Sequence, residues 1–99
     1  MQFEWDEDKR AINIAKHGID FDRARTIWER DVIDPYTQNW DRGEHGGIAI
    51  GAIHDQTGDR IIAVVYTRRD SRLRIISARA ARDYEREAYD RKFGRSRSR

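Results

Sequence analysis

Arg60-Ile61-Ile62-Ala63-Val64-Val65-Tyr66-Thr67-Arg68-Arg69 is the stretch on which the fold turns. In an extended chain its apolar residues fall on both sides, Ile61, Ala63 and Val65 against Ile62, Val64 and Tyr66. A strand of that kind is covered on both faces and lies in the middle of a sheet. Asp55-Gln56-Thr57-Gly58-Asp59 before it reads as a turn. Upstream again, residues 46–53 set Ile48, Ile50 and Ala52 against Gly47, Ala49 and Gly51, a second strand, and the strand-like pattern begins from about Tyr36. Downstream, Asp70-Ser71 turns the chain into a third strand over residues 73–77.

Toward the N-terminus, Phe3 and Trp5 alternate with polar residues as in a short edge strand. Asp6 then caps a helix through about His17, with Glu7 and Asp8 in its first turn, Lys16 and His17 in its last, and Gly18 just beyond. Ala11, Ile12, Ile14 and Ala15 are its expected inner stripe. Asp20 or Asp22 starts a second helix to about Arg30 that buries Phe21, Ala24, Ile27 and Trp28. The short link at Gly18-Ile19 makes the two a hairpin, and Asp34-Pro35 closes this section. A last helix is expected over residues 78–93, followed by a disordered basic tail over 94–99. The order β-α-α-β-β-β-(β)-α describes an α+β fold: an antiparallel meander sheet with an N-terminal helical hairpin and a C-terminal helix packed on it, one domain over residues 1–93.

Ninety-nine residues suffice for one modest core. Charged residues make up 38% and apolar ones 37%, yet the apolar residues cluster, unlike those of a disordered chain. There is no cysteine, which excludes disulfides and thiolate metal sites. No apolar run approaches the roughly 18 residues of a membrane span. The opening Met1-Gln2-Phe3-Glu4-Trp5-Asp6 is unlike a signal peptide, so a cytoplasmic protein with no membrane partner is expected.

The net charge of +2 conceals a division: residues 1–59 carry −6 and residues 60–99 carry +8. A local basic field attracts polyanions whatever the total charge. On the expected last helix Arg79, Arg82 and Arg86 fall within about 60° of one another. Ala81, Tyr84 and Ala88 face the core there, and Glu85 and Tyr89 stand at the boundary. Arg68 ends the central strand and Arg79 sits in the first turn of that helix, where free N–H groups also favour phosphate. Guanidinium forks bind phosphate bidentately, so Arg68 and Arg79 form a candidate phosphate clamp. The alternative is a pair of bridges to Asp70 or Asp83. His17, away from the Ile12 and Ala15 stripe, is a candidate general acid or base for RNA cleavage, or a histidine placed for the helix dipole. No His/Asp/Glu cluster has metal-ligand spacing, and Gly43, Gly46 and Gly47 precede a strand rather than a helix. No metal and no cofactor are expected.

Taken together, Phe3-Glu4-Trp5-Asp6, Lys16-His17-Gly18-Ile19-Asp20-Phe21, Asp34-Pro35, Gly43-Glu44, Val64-Val65-Tyr66-Thr67-Arg68, Arg74-Ile75-Ile76-Ser77-Ala78-Arg79, Glu85-Arg86 and Tyr89 resemble the BrnT toxin family. After Gly43-Glu44 this chain has His45-Gly46-Gly47, where the family usually has a polar, often basic residue. The resemblance implies a RelE-like ribonuclease fold and metal-independent RNA cleavage that inhibits translation. It also implies neutralisation by a BrnA antitoxin resembling ribbon-helix-helix DNA-binding proteins, in a hetero-oligomer that binds operator DNA. The candidates carried onto this chain are His17, Arg68, Arg79 and Glu85 for catalysis and Lys16, Arg82, Arg86 and Tyr89 for substrate binding, with Tyr89 stacking on a base or orienting Glu85. Two other readings stand beside this one: a gyrase-inhibiting or other non-nuclease toxin on the same scaffold, and a non-catalytic nucleic-acid-binding domain.

Overall fold

The computed structural model describes residues 2–34, 45–56 and 58–94. In chain order its elements are β1 (Gln2–Trp5), α1 (Glu7–His17), α2 (Phe21–Ala24), a 3-10 helix (Arg25–Glu29), β2 (Val32–Ile33), β3 (His45–Asp55), β4 (Gly58–Arg69), β5 (Arg72–Ala80) and α3 (Asp83–Phe93). The five strands form one sheet in the order β1-β5-β4-β3-β2, with β4 in the middle. Strands β2 to β5 form an antiparallel meander. β1 departs from the expected all-antiparallel sheet: it joins β5 in parallel, Gln2 opposite Arg72 and Trp5 opposite Ile75.

The two-sided apolar pattern of β4 has its cause in two separate cores. Ile62, Val64 and Tyr66 pack with Phe21, Ala24, Ile27, Leu73, Ile75 and Ala78 beneath α2 and the 3-10 helix. On the other face, Ala63 packs with Ile50, Ala81 and Tyr89 beneath α3. Burying each large aliphatic side chain contributes roughly 1.5–3 kcal/mol. The second helix is shorter than expected, because after Ala24 the chain tightens into the 3-10 helix. That winding eclipses side chains three apart, which stacks Ala24 over Ile27, both fully buried against the sheet. The approach is close: a Cβ on Gly51 would come 2.7 Å from the Cβ of Ile27.

Two expectations fail for informative reasons. Ala11, Ile12, Ile14 and Ala15 are exposed, Ile12 by 62%, and the buried side chain of α1 is Asn13. α1 lies along the edge of β5 that β1 leaves open beyond Ile75, and an open edge needs hydrogen bonds rather than apolar cover. Asn13 supplies them: its Nδ2 donates to the carbonyls of Ala78 (2.9 Å) and Ile19 (2.8 Å), and its Oδ1 accepts the Ala78 N–H at 3.0 Å.

The last helix begins at Asp83 rather than Ala78, and residues 78–80 finish β5 opposite Val64, Ala63 and Ile62. Ala78-Arg79-Ala80-Ala81-Arg82 has high helix propensity, but pairing with the long central strand overrides it. Pro35, the strand-like stretch after Tyr36, Gly43-Glu44 and the tail over 95–99 lie outside the described residues. No helix among the described residues is long and apolar enough to cross a membrane.

Candidate nucleic-acid interface

Strand alternation decides which basic side chains meet. On β4 the residues on the α3 side are Ala63, Val65, Thr67 and Arg69. On β5 the register shifts at Ile76, since Val65 lies opposite Ser77 while Tyr66 lies opposite Ile75. A bulge of that kind keeps Arg72 and Arg74 on one side of it and Ser77 and Arg79 on the other, all facing the same way. α3 packs mainly against β3 and β2, so among the described residues no helix lies over this half of the face. Thr67, Arg69 and Arg72 are exposed, and Arg74, Ser77 and Arg79 are half-buried. Glu4 of β1 is the acidic neighbour, 3.5 Å from Arg72 and 3.4 Å from Arg74. These are long, partly solvated pairs that neutralise little of the surface.

Arg79 stands where this open strip meets α3. Its Nη1 and Nη2 donate to the two carboxylate oxygens of Glu85 at 2.8 and 3.1 Å. Glu85, 1% exposed, also accepts the N–H of Arg82 at 2.8 Å, which caps the first turn of α3. Burial pushes the Glu85 carboxyl up, but the bonds from Arg79 and from the Arg82 N–H outweigh it and hold the group below its ordinary value. The carboxylate is therefore ionised and fully engaged. Glu85, expected to move a proton, is bonded to Arg79 and to the first turn of α3.

The other expected site residues divide between the two ends of the sheet. Arg68 follows Tyr66 by two residues, on the α2 side, and pairs with Leu73, whereas Arg79 pairs with Ala63. Five residues of strand, about 17 Å, and the thickness of the sheet separate them, so they form no common clamp. Near Arg68, the Tyr66 hydroxyl donates to the Asp34 carboxylate. Burial and that bond push the Tyr66 hydroxyl up, and the Arg68 charge opposes them. Trp28 meets the Tyr66 ring edge-on at 5.6 Å.

Lys16 and His17 are exposed in the last turn of α1. His17 lies one turn beyond Asn13 on the same helix face, the residue by which α1 holds the β5 edge at Ala78. Arg82 caps α3 and Arg86 donates to the Ala81 carbonyl at 3.0 Å and to the Asp83 carboxylate. Tyr89 is 4% exposed; its ring lies 4.8 Å from that of Phe93 and its hydroxyl donates to the Asp31 carbonyl at 3.2 Å. It is a core residue and presents no face to a base.

Thr67, Arg69, Arg72, Arg74 and Ser77 were not singled out from the sequence. Their signal was the two-residue period on either side of the bulge, hidden by assigning residues 78–82 to a helix. Among the described residues no group of three or more His, Asp or Glu side chains is arranged to hold a metal ion.

The family model for the ribonuclease toxin BrnT of type II toxin–antitoxin systems matches residues 5–85. The crystal structure of the ribonuclease toxin BrnT of Brucella abortus is 34% identical, covers 84% of this chain and 99% of that one, and superposes with a TM-score of 0.59. No curated protein sequence matches. The matched segment runs from the last residue of β1 to the first turn of α3 and contains every residue of the basic strip, and the chain belongs to the BrnT ribonuclease-toxin family of type II toxin–antitoxin systems.

Proposed function

We propose that this chain is a metal-independent endoribonuclease that lays single-stranded RNA along the helix-free half of the α3 face. The observation that carries this is the register: Thr67, Arg69, Arg72, Arg74, Ser77 and Arg79 share one face, four guanidinium and two hydroxyl groups in one strip. Side chains two apart on a strand stand about 6.6 Å from each other, a step that an extended phosphate backbone can follow. Arg79 is the phosphate ligand at the reacting centre. Glu85 fixes two of its donors, so the guanidinium keeps one orientation and its remaining N–H groups meet charge developing on the phosphate oxygens without reorganising. Arg69, Arg72 and Arg74 hold flanking phosphates. His17 is the candidate for moving the proton as the 2′-hydroxyl attacks, leaving a 2′,3′-cyclic phosphate or a 3′-phosphate; Lys16, Arg82 and Arg86 steer the strand.

On this reading the fold is RelE-like and the protein works in the cytoplasm, where RNA cleavage inhibits translation. A BrnA-like ribbon-helix-helix antitoxin neutralises it, and the complex binds operator DNA. The test is cleavage of a labelled single-stranded RNA in the presence of EDTA. Wild type cleaves, and Arg79→Ala loses about 100- to 1,000-fold, the usual cost of removing one charge-stabilising donor. Loss of wild-type activity on chelation sinks the metal-free mechanism. Full activity in Arg79→Ala sinks the assignment of the site.

A further inference from the structure

Tyr84 was expected on the packing arc of the last helix, yet it is 53% exposed. With the helix starting at Asp83, the buried line runs through Glu85 and Tyr89, and Tyr84 falls about 100° to one side of it. Phe21, Tyr66 and Tyr89 are buried and Phe3, Trp5, Trp28 and Phe93 half-buried, so among the described residues Tyr84 is the one exposed aromatic ring. The direction of α3 decides where it points. α3 leaves the end of β5 and crosses the sheet to reach Asp31, just before β2. A right-handed helix running that way over this face turns its Tyr84–Ala88–Arg91 flank toward the uncovered strip of Ser77, Thr67 and Arg74. The opposite flank, with Arg86 and Asp90, faces the β3–β4 turn. Arg82 Nη1 lies 3.5 Å from the Tyr84 hydroxyl, so the ring stands beside a guanidinium.

We propose that Tyr84 is the base-stacking residue of the RNA face, a wall against which one unpaired base lies while the β5 arginines hold its phosphates. The proposal rests on the RNA-cleaving reading and adds the residue that engages a base. An aromatic face takes any base, so Tyr84 supplies affinity and position rather than sequence choice.

The test measures binding of a 2′-O-methylated single-stranded RNA of mixed sequence, which lacks the attacking hydroxyl and stays intact. Tyr84→Ala and Tyr84→Leu weaken binding by about 5- to 150-fold, the range that one stacked base contributes. Tyr84→Phe and Tyr84→Trp recover most of that loss, because stacking needs the ring and not the hydroxyl. The slope of affinity against salt concentration is the same in Tyr84→Ala as in wild type, whereas Arg74→Ala lowers it by about one phosphate contact. If Tyr84→Leu binds as well as Tyr84→Phe, or Tyr84→Ala binds as wild type while Arg74→Ala is impaired, the stacking role is wrong and the RNA reading survives. If wild type does not bind the RNA, both fall.

Discussion

Breaking the Arg79–Glu85 pair separates a structural role from a functional one. Glu85 accepts three hydrogen bonds while 1% exposed, and the Arg79 side chain is 18% exposed. Glu85→Ala leaves a largely buried guanidinium without its carboxylate, a change that costs about 3–5 kcal/mol, and removes a helix-capping bond worth about 1 kcal/mol. The exposed edge of Arg79 lets it turn partly to water, so the lower end, about 3 kcal/mol, is the expected loss. In a domain of this length that lowers the melting temperature by about 12–24 °C. The assay is urea unfolding of Glu85→Leu, Arg79→Leu and the double variant. Replacing both partners with apolar groups is far less costly than replacing one, so the double variant is expected to be more stable than the sum of the singles by about 2 kcal/mol. Additive losses, with coupling under about 0.5 kcal/mol, would refute the reasoning.

The same pair sets a pH signature. The Glu85 carboxyl is held below its ordinary value in the folded protein, so its stabilisation is complete above the unfolded value, about 4.3, and is lost as pH falls through the folded one. Asp20 is lowered too, by its side-chain bond with Arg10 first, and adds to the acid limb of the wild type. The difference in stability between wild type and Glu85→Gln isolates Glu85: it is expected to be level from about pH 5 to 8 and to shrink below about pH 4. Glu85→Gln, folded at neutral pH, is expected to cleave RNA poorly because Arg79 has lost the partner that aims it.

Asn13→Leu keeps the volume but strands the Ala78 N–H and the carbonyls of Ala78 and Ile19; a loss of about 3 kcal/mol is expected, with faster hydrogen exchange at the Ala78 amide as the local readout. Gly51→Ala drives a methyl group into Ile27, 2.7 Å from its Cβ, and is expected to cost about 1–3 kcal/mol in thermal unfolding, relieved in part by Ile27→Ala. Arg74→Ala and Arg69→Ala should each reduce RNA cleavage more than Arg68→Ala, since Arg68 lies on the other face of the sheet; equal losses from all three would argue against the strip.

Most of the fold is legible because its strongest signals are redundant. The apolar run of β4, the Asp6 cap and the Gly18 stop each carry a physical cause that tertiary packing does not overrule; Gly18 takes φ +71, the left-handed position expected of it. α1 misled because an apolar stripe says that cover is available, not that it is used. Its place was fixed instead by a polar residue, Asn13, answering an open backbone edge that only the short parallel pairing of β1 creates. The helix start misled because propensity over five residues competes with a ladder set by β4. That error had a functional price, since on a helix Arg79 groups with Arg82 and Arg86, and on a strand it groups with Ser77, Arg74 and Arg72.

Dimensions explain why the basic strip exists at all. α3 has 11 residues and is about 16 Å long, while strands lie about 4.8 Å apart. Starting at the end of β5 and crossing toward β2, it covers about three strands of five. A sheet face left open to water favours polar side chains, and among the described residues the composition follows this: under α3 the face carries Ala63, Ile50 and Ile33, and beyond it, past Val65, come Thr67, Arg69, Arg72, Arg74 and Ser77. Polarity alone would be met by any mixture of charges. A strip with hydroxyls, four arginines and Glu4 as its acidic neighbour goes further, because unbalanced positive charge on one face costs stability through self-repulsion and has value only when a polyanion lies on it. The Arg79–Glu85 pair marks the border between the two demands: its carboxylate belongs to the packed half and its guanidinium to the open one. That is why breaking it is expected to damage both the fold and the cleavage, whereas Arg74→Ala is expected to damage only the second.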